Sequence, residues 1–147
     1  MSIDETAERV IPFPPGRVAG YAMDWRNDAE WTQGIREALL TREADGGGFG
    51  VGAEVTRTAY FLGKRIDYVL RVDAFESGRL LDMVSVAGPM PMHVTYAFSP
   101  HPQGTLACIR VRGDTAGYYR LAAPVMARKV RSSIGKDLRE LERKLST

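Results

Sequence analysis

The side chains that could do chemistry in this chain are few and far apart. It carries two histidines, one cysteine and six tyrosines in 147 residues. His101 stands between Pro100 and Pro102, in a turn where solvent is its expected neighbour. His93 opens a strand and alternates with that strand's inward set, so it is expected outside or at a rim. Asp67, Asp73 and Asp82 project outward in the expected register, leaving no facing carboxylates for acid–base work. Two distant imidazoles and one thiol are too few borderline ligands for a metal. Neither a metal nor another cofactor is expected, and Cys108 reads as a small apolar filler. No Ser-His-Asp or Cys-His order is apparent, so no catalytic residue is assigned.

What remains is a set of hydroxyls among apolar neighbours. Thr58, Tyr60, Tyr68, Ser85 and Tyr96 fall on strand positions expected to face inward, where a pure core would carry fewer hydroxyls. Met23, Met83, Met90 and Met126 are adaptable apolar groups suited to a chamber of variable content, and Trp31 adds a large ring. Gly88-Pro-Met-Pro-Met92 joins two strands and would present Met90 at a mouth. These ten side chains are the expected contacts of an apolar small molecule. The competing reading is that each hydroxyl meets a backbone partner inside a filled core.

The elements that must position them follow from periodicity. Tyr118 to Leu145 reads as one helix, with Ala127, Val130, Ile134, Leu138, Leu141 and Leu145 on a single face. Glu140 precedes Lys144 by one helical turn, a favourable pair. Pro124 should kink or restart the helix, making Tyr118–Met126 the cavity border and lid. Strands are expected at Thr6–Ile11, Ile35–Ala44, Ala53–Phe61, Arg65–Phe75, Arg79–Ala87, Met92–Ser99 and Thr105–Arg112. A short helix at Pro14–Met23 starts on prolines, and Asn27 or Asp28 should cap a second that carries Trp31. Glycines Gly46 to Gly52 precede a strand rather than a helix, which argues for a turn and against a phosphate loop.

One hairpin decides what faces inward. A three-residue loop, Phe61-Leu62-Gly63, pairs Thr58 with Ile66 and sets Arg57 against Asp67 on the outer face. A two-residue loop would instead turn Arg57 inward beside Tyr68. The first register is preferred, because it keeps a charge in water. It also leaves Val55, Val69, Leu80, Val84 and Val86 on the convex face, where they could serve a protein partner.

Composition bounds the rest. The chain is expected to form a single domain over residues 1–147. A 44% hydrophobic and 26% charged composition is that of an ordinary globular protein. Its formal net charge of +2 gives no case for nucleic acid. No apolar run suits stable membrane insertion, the first residues lack a signal-peptide pattern, and one cysteine fits a reducing cytoplasm. The basic C-terminal helix is read as a solvated face, and a homodimer stays open.

Taken together, the order of elements resembles the START-like (SRPBCC) superfamily and its polyketide cyclase/dehydrase-like branch. Pro14-Pro15-Gly16-Arg17-Val18, Trp31, Gly50-Val51-Gly52, Leu62-Gly63-Lys64-Arg65-Ile66, Phe75 to Leu80 and Tyr96-Ala97-Phe98 carry the resemblance. Ala53 and Ala19 depart from it, each with a methyl in place of a larger or polar group. The resemblance implies an α+β helix-grip fold: a curved antiparallel sheet of about seven strands around a long C-terminal helix, two short helices after strand one, and a cavity between. It also implies a hydrophobic lipid-, polyketide- or aromatic-like ligand, with a cyclase/aromatase-type enzyme as the alternative.

Overall fold

Alternating apolar and polar residues, broken by glycine and proline, give seven strands. They are β1 (Ser2–Ile11), β2 (Ile35–Arg42), β3 (Glu54–Phe61), β4 (Lys64–Glu76), β5 (Leu80–Ala87), β6 (Met92–His101) and β7 (Gly104–Asp114). The helices are α1 (Pro15–Ala22), α2 (Asp28–Trp31) and α3 (Ala123–Leu145), with a 3-10 turn at Trp25–Asn27 leading into α2. This computed structural model describes residues 2–32, 34–61, 63–114 and 123–147. The strands form one antiparallel sheet in the order β1-β7-β6-β5-β4-β3-β2. It curves around α3, the architecture expected from the order of elements.

The apolar stripe of α3 is buried against the concave face. Val130, Ile134, Leu138, Leu141 and Leu145 are each less than 9% exposed. Ion pairs and one carbonyl bond fix the helix to the sheet side. Arg9 Nε meets Glu142 Oε1 at 3.0 Å, and Arg131 Nε meets Glu5 Oε1 at 2.7 Å. Arg17 donates from Nη2 to the Leu145 carbonyl at 2.7 Å, a cation at the negative end of the helix dipole. Lys144 reaches Glu30 at 3.5 Å, while Glu140 takes Arg143. The expected Glu140–Lys144 contact thus gives way to tertiary and i,i+3 partners.

Local details differ where sequence proximity misled. Asn27 stands at the N-cap position of α2, though its side chain makes no cap bond, and Asp24 caps the preceding 3-10 turn, accepting from the Arg26 backbone N–H at 3.0 Å. Asn27 instead donates to the Tyr21 carbonyl at 3.1 Å. Pro124 lies in the first turn of α3, where its missing N–H needs no partner. The expected helix start at Tyr118 and the lid before Ala123 lie outside the described residues, as does Leu62.

The β3–β4 hairpin takes the register that was not preferred. Phe61 pairs with Lys64 and Arg57 with Tyr68, so two residues form the loop. Gly63 sits at φ 77°, which an L side chain rarely adopts. Side chains alternate faces along a strand, so this one-residue slip inverts β3. Val55, Arg57 and Ala59 turn inward at 1%, 3% and 8% exposure. Thr58 moves to the outer face opposite Asp67, which pairs with Arg65 at 3.3 Å. Of the convex valines expected to be exposed, Val86 is, while Val55 belongs to the interior.

Candidate functional site

A cavity of about 140 Å³ lies between the concave face and α3. Its walls are mainly apolar: Ile66 from β4, Val94 from β6, Ile109 and Val111 from β7, Val130 and Ile134 from α3. The cavity also has a polar end, built by three elements that are distant in the chain. From β3, Arg57 donates through Nε and Nη2 to Asp28 Oδ2 on α2, at 3.1 and 2.9 Å. Its Nη2 also donates to the Tyr96 hydroxyl of β6 at 3.2 Å. Arg57, Tyr96, Tyr68, Thr32, Ser133 and Asp137 all line the cavity, whereas Asp28 stands behind Arg57.

Sequence and packing explain how this cluster is held. Asp28 is in the first turn of α2, and Thr32 one turn later gives its hydroxyl to the Asp28 carbonyl. Trp31 packs against Tyr96 with ring centroids 5.4 Å apart, and its indole N–H is buried without a partner among the described residues. On α3, Asp137 interrupts the apolar face between Ile134 and Leu141 and is 6% exposed. Opposite charge compensates the buried Arg57, as a buried ion requires.

The charges follow from these neighbours. Burial opposes the charge on Arg57, yet Asp28 and the Tyr96 and Tyr68 oxygens hold it well above its ordinary value. Burial raises the Asp28 carboxyl, with Arg57 pulling the other way. The Tyr96 phenol is pushed well up by burial, against the opposing pull of Arg57. At neutral pH this end therefore presents a guanidinium and an intact phenol, both hydrogen-bond donors. Such a pair is suited to a ligand oxygen that accepts, and neither group is a base.

The residues expected at the site separate into groups. Tyr68, Met90 and Tyr96 line the cavity, and Tyr60 borders it while 44% exposed, beneath Arg36 at 5.0 Å. Trp31 stands behind Tyr96, and Met83 and Met126 are enclosed in the core. Thr58 faces outward, a consequence of the β3 register. Ser85 accepts the Met92 N–H at 2.8 Å and so fastens the β5–β6 connection. Met23 lines a separate open groove of about 430 Å³ between α1, the Gly46–Gly52 turn and the β4–β5 turn. His93 lies on the convex side against Asp82 at 2.6 Å. Burial and then Glu8 raise the Cys108 thiol, the opposite of an activated nucleophile. Among the described residues no His, Cys, Asp or Glu cluster could hold a metal. None of their helices is long and apolar enough to cross a membrane.

Arg57, Asp28 and Asp137 build the polar end of the cavity, and none of them was among the residues expected there. The signal for Asp137 was present: an acid at an apolar-stripe position of α3. For Arg57 it lay in the rejected hairpin register. Asp28 gave no local sign, because its partner is 29 residues away.

A seven-stranded sheet gripping a C-terminal helix over a lined cavity defines the helix-grip class of START-like proteins. A family model described as polyketide cyclase / dehydrase and lipid transport matches residues 2–146. The chain belongs to that family, within the START-like (SRPBCC) superfamily. No curated protein matches it. Among solved structures, a START superfamily protein of Mycobacterium smegmatis is similar at TM-score 0.81 and 11% identity, covering 99% of this chain and 97% of that one. The protein TTHA0849 of Thermus thermophilus gives 0.78 and 15%, over 99% and 97%. The Zhui aromatase/cyclase of Streptomyces sp. R1128 gives 0.69 and 13%, over 99% and 93%. At these identities the likeness is one of fold.

Proposed function

We infer that this protein binds a hydrophobic small molecule in the cavity beneath α3, with one oxygen of the ligand held at Arg57 and Tyr96. The observation that carries this reading is a cavity with apolar walls that ends on a buried guanidinium. Arg57 has five N–H donors, more than its three bonds to Asp28 and Tyr96 use. A solid core would have no need of a cation at this depth, since apolar residues of similar volume are usually as stable.

The same polar end favours a second reading, an enzyme of cyclase or aromatase type. Arg57 and the Tyr96 phenol would polarise a carbonyl, and Asp137, which also lines the cavity, would accept a proton from the carbon beside it. Displacement of an environment-sensitive apolar dye distinguishes the site from other surfaces. Ile134→Phe, which fills the cavity from α3, should abolish dye binding while circular dichroism stays unchanged. Undiminished dye binding in that variant would refute the ligand reading. Binding without turnover of any carbonyl compound, in a protein with Asp137 intact, would refute the enzyme reading.

A further inference from the structure

The fold family leads one to expect a lipid or a fused-ring polyketide, but the dimensions of this cavity argue otherwise. Pockets for drug-sized ligands have volumes of roughly 300–1,000 Å³. An engineered cavity of about 150 Å³ takes benzene. The cavity under α3, at about 140 Å³, falls in the second class. Protein interiors are packed as densely as organic crystals, so a second fused ring could not be enclosed unless Ile109, Ile134 or Val94 left its packed position.

The charges narrow the chemistry. Asp28 already offsets Arg57 through two hydrogen bonds. A ligand carboxylate would therefore bring in a negative charge for which the Arg57–Asp28 pair leaves no counter-charge. Burying a charge without a partner is costly, whereas a neutral oxygen can still accept from Arg57 and Tyr96.

We propose that the ligand is a neutral single-ring molecule carrying a carbonyl or phenolic oxygen, and that the cavity is too small to enclose fused-ring or long-chain lipids. This deepens the ligand-binding reading and rests on it. The volume sets the ring count, and the Arg57–Asp28 pair, already balanced in charge, sets the preference for a neutral oxygen.

Calorimetric titration of the full chain with four compounds tests it. These are 4-hydroxyacetophenone (neutral, one ring), 6-acetyl-2-naphthol (its two-ring counterpart), benzoate (one ring, anionic) and palmitate. The first should bind at least about tenfold more tightly than each of the others. Ile134→Ala, which enlarges the cavity, should bring the naphthol to within about threefold of the single-ring compound. Tighter binding of palmitate or the naphthol to the unmodified protein, lost in Ile134→Phe, would overturn the size argument while leaving the cavity as the site. Preferred binding of benzoate would overturn the charge argument. Failure of all four to bind overturns the proposed class. Binding of 4-hydroxyacetophenone that persists in a folded Ile134→Phe protein would overturn the site itself.

Discussion

At the scale of residues, the polar end of the cavity is organised by the buried Arg57–Asp28 ion pair. The Arg57 and Asp28 side chains are each only 4% exposed and share two hydrogen bonds. Removing one partner leaves the other charged and dry, at a cost of about 3–5 kcal/mol. Arg57→Met should therefore lose that much stability in urea unfolding, and Arg57→Met/Asp28→Leu should recover most of it. Equal losses in both proteins would mean that the pair is not compensated as described. Tyr96 gives a pH prediction of definite sign. Its phenol is raised in the folded state from an ordinary value of 10.0, so the fold retains that proton longer than the unfolded chain does. Its contribution is complete below that value and is lost as pH rises through the folded value. Tyr96→Phe should accordingly flatten the alkaline decline in stability, measured as the difference between variant and parent above pH 10. An unchanged slope would contradict the buried, proton-bearing phenol.

At the scale of elements, the site depends on where β3, α2 and α3 bring their side chains. Much of this was legible, because strand alternation and a 3.6-residue stripe are local signals. The buried positions Ile66, Tyr68, Leu70 and Val72 of β4 follow directly from period two. The face of β3 was not legible in the same way. Both hairpin loops were compatible with local turn chemistry, and the outward Arg57–Asp67 pair avoided burying a charge. What reverses the choice is Asp28, which makes the inward position of Arg57 tolerable from another element. One glycine next to the cavity offers an element-scale test. Gly88 follows β5 at φ +132°, and a Cβ there would stand 2.6 Å from the Tyr68 Cβ. Gly88→Ala should cost about 1–3 kcal/mol in thermal unfolding through backbone strain and overpacking. It should also weaken ligand binding, because Tyr68 must move. A variant with unaltered stability would show that the β5–β6 connection yields freely.

At the scale of the whole molecule, fold and function separate. The helix-grip architecture came through in the order of elements, since a lone amphipathic helix after a strand run has to be covered by the sheet. Belonging to a family of cyclases and lipid carriers sets the expectation of a cavity. Its contents depend on particular side chains, and the polar end built on Arg57 and Tyr96 is what distinguishes this interior. A ligand that binds only the folded state stabilises it by about 2.7 kcal/mol at a hundred times its dissociation constant. The protein as purified should therefore unfold later with its natural ligand than after that ligand is extracted. The most direct measurement is native mass spectrometry of the purified protein beside Ile134→Phe. The first should release a small molecule containing oxygen and a single ring, and the folded variant none. The same adduct on both proteins would contradict a binding site beneath α3.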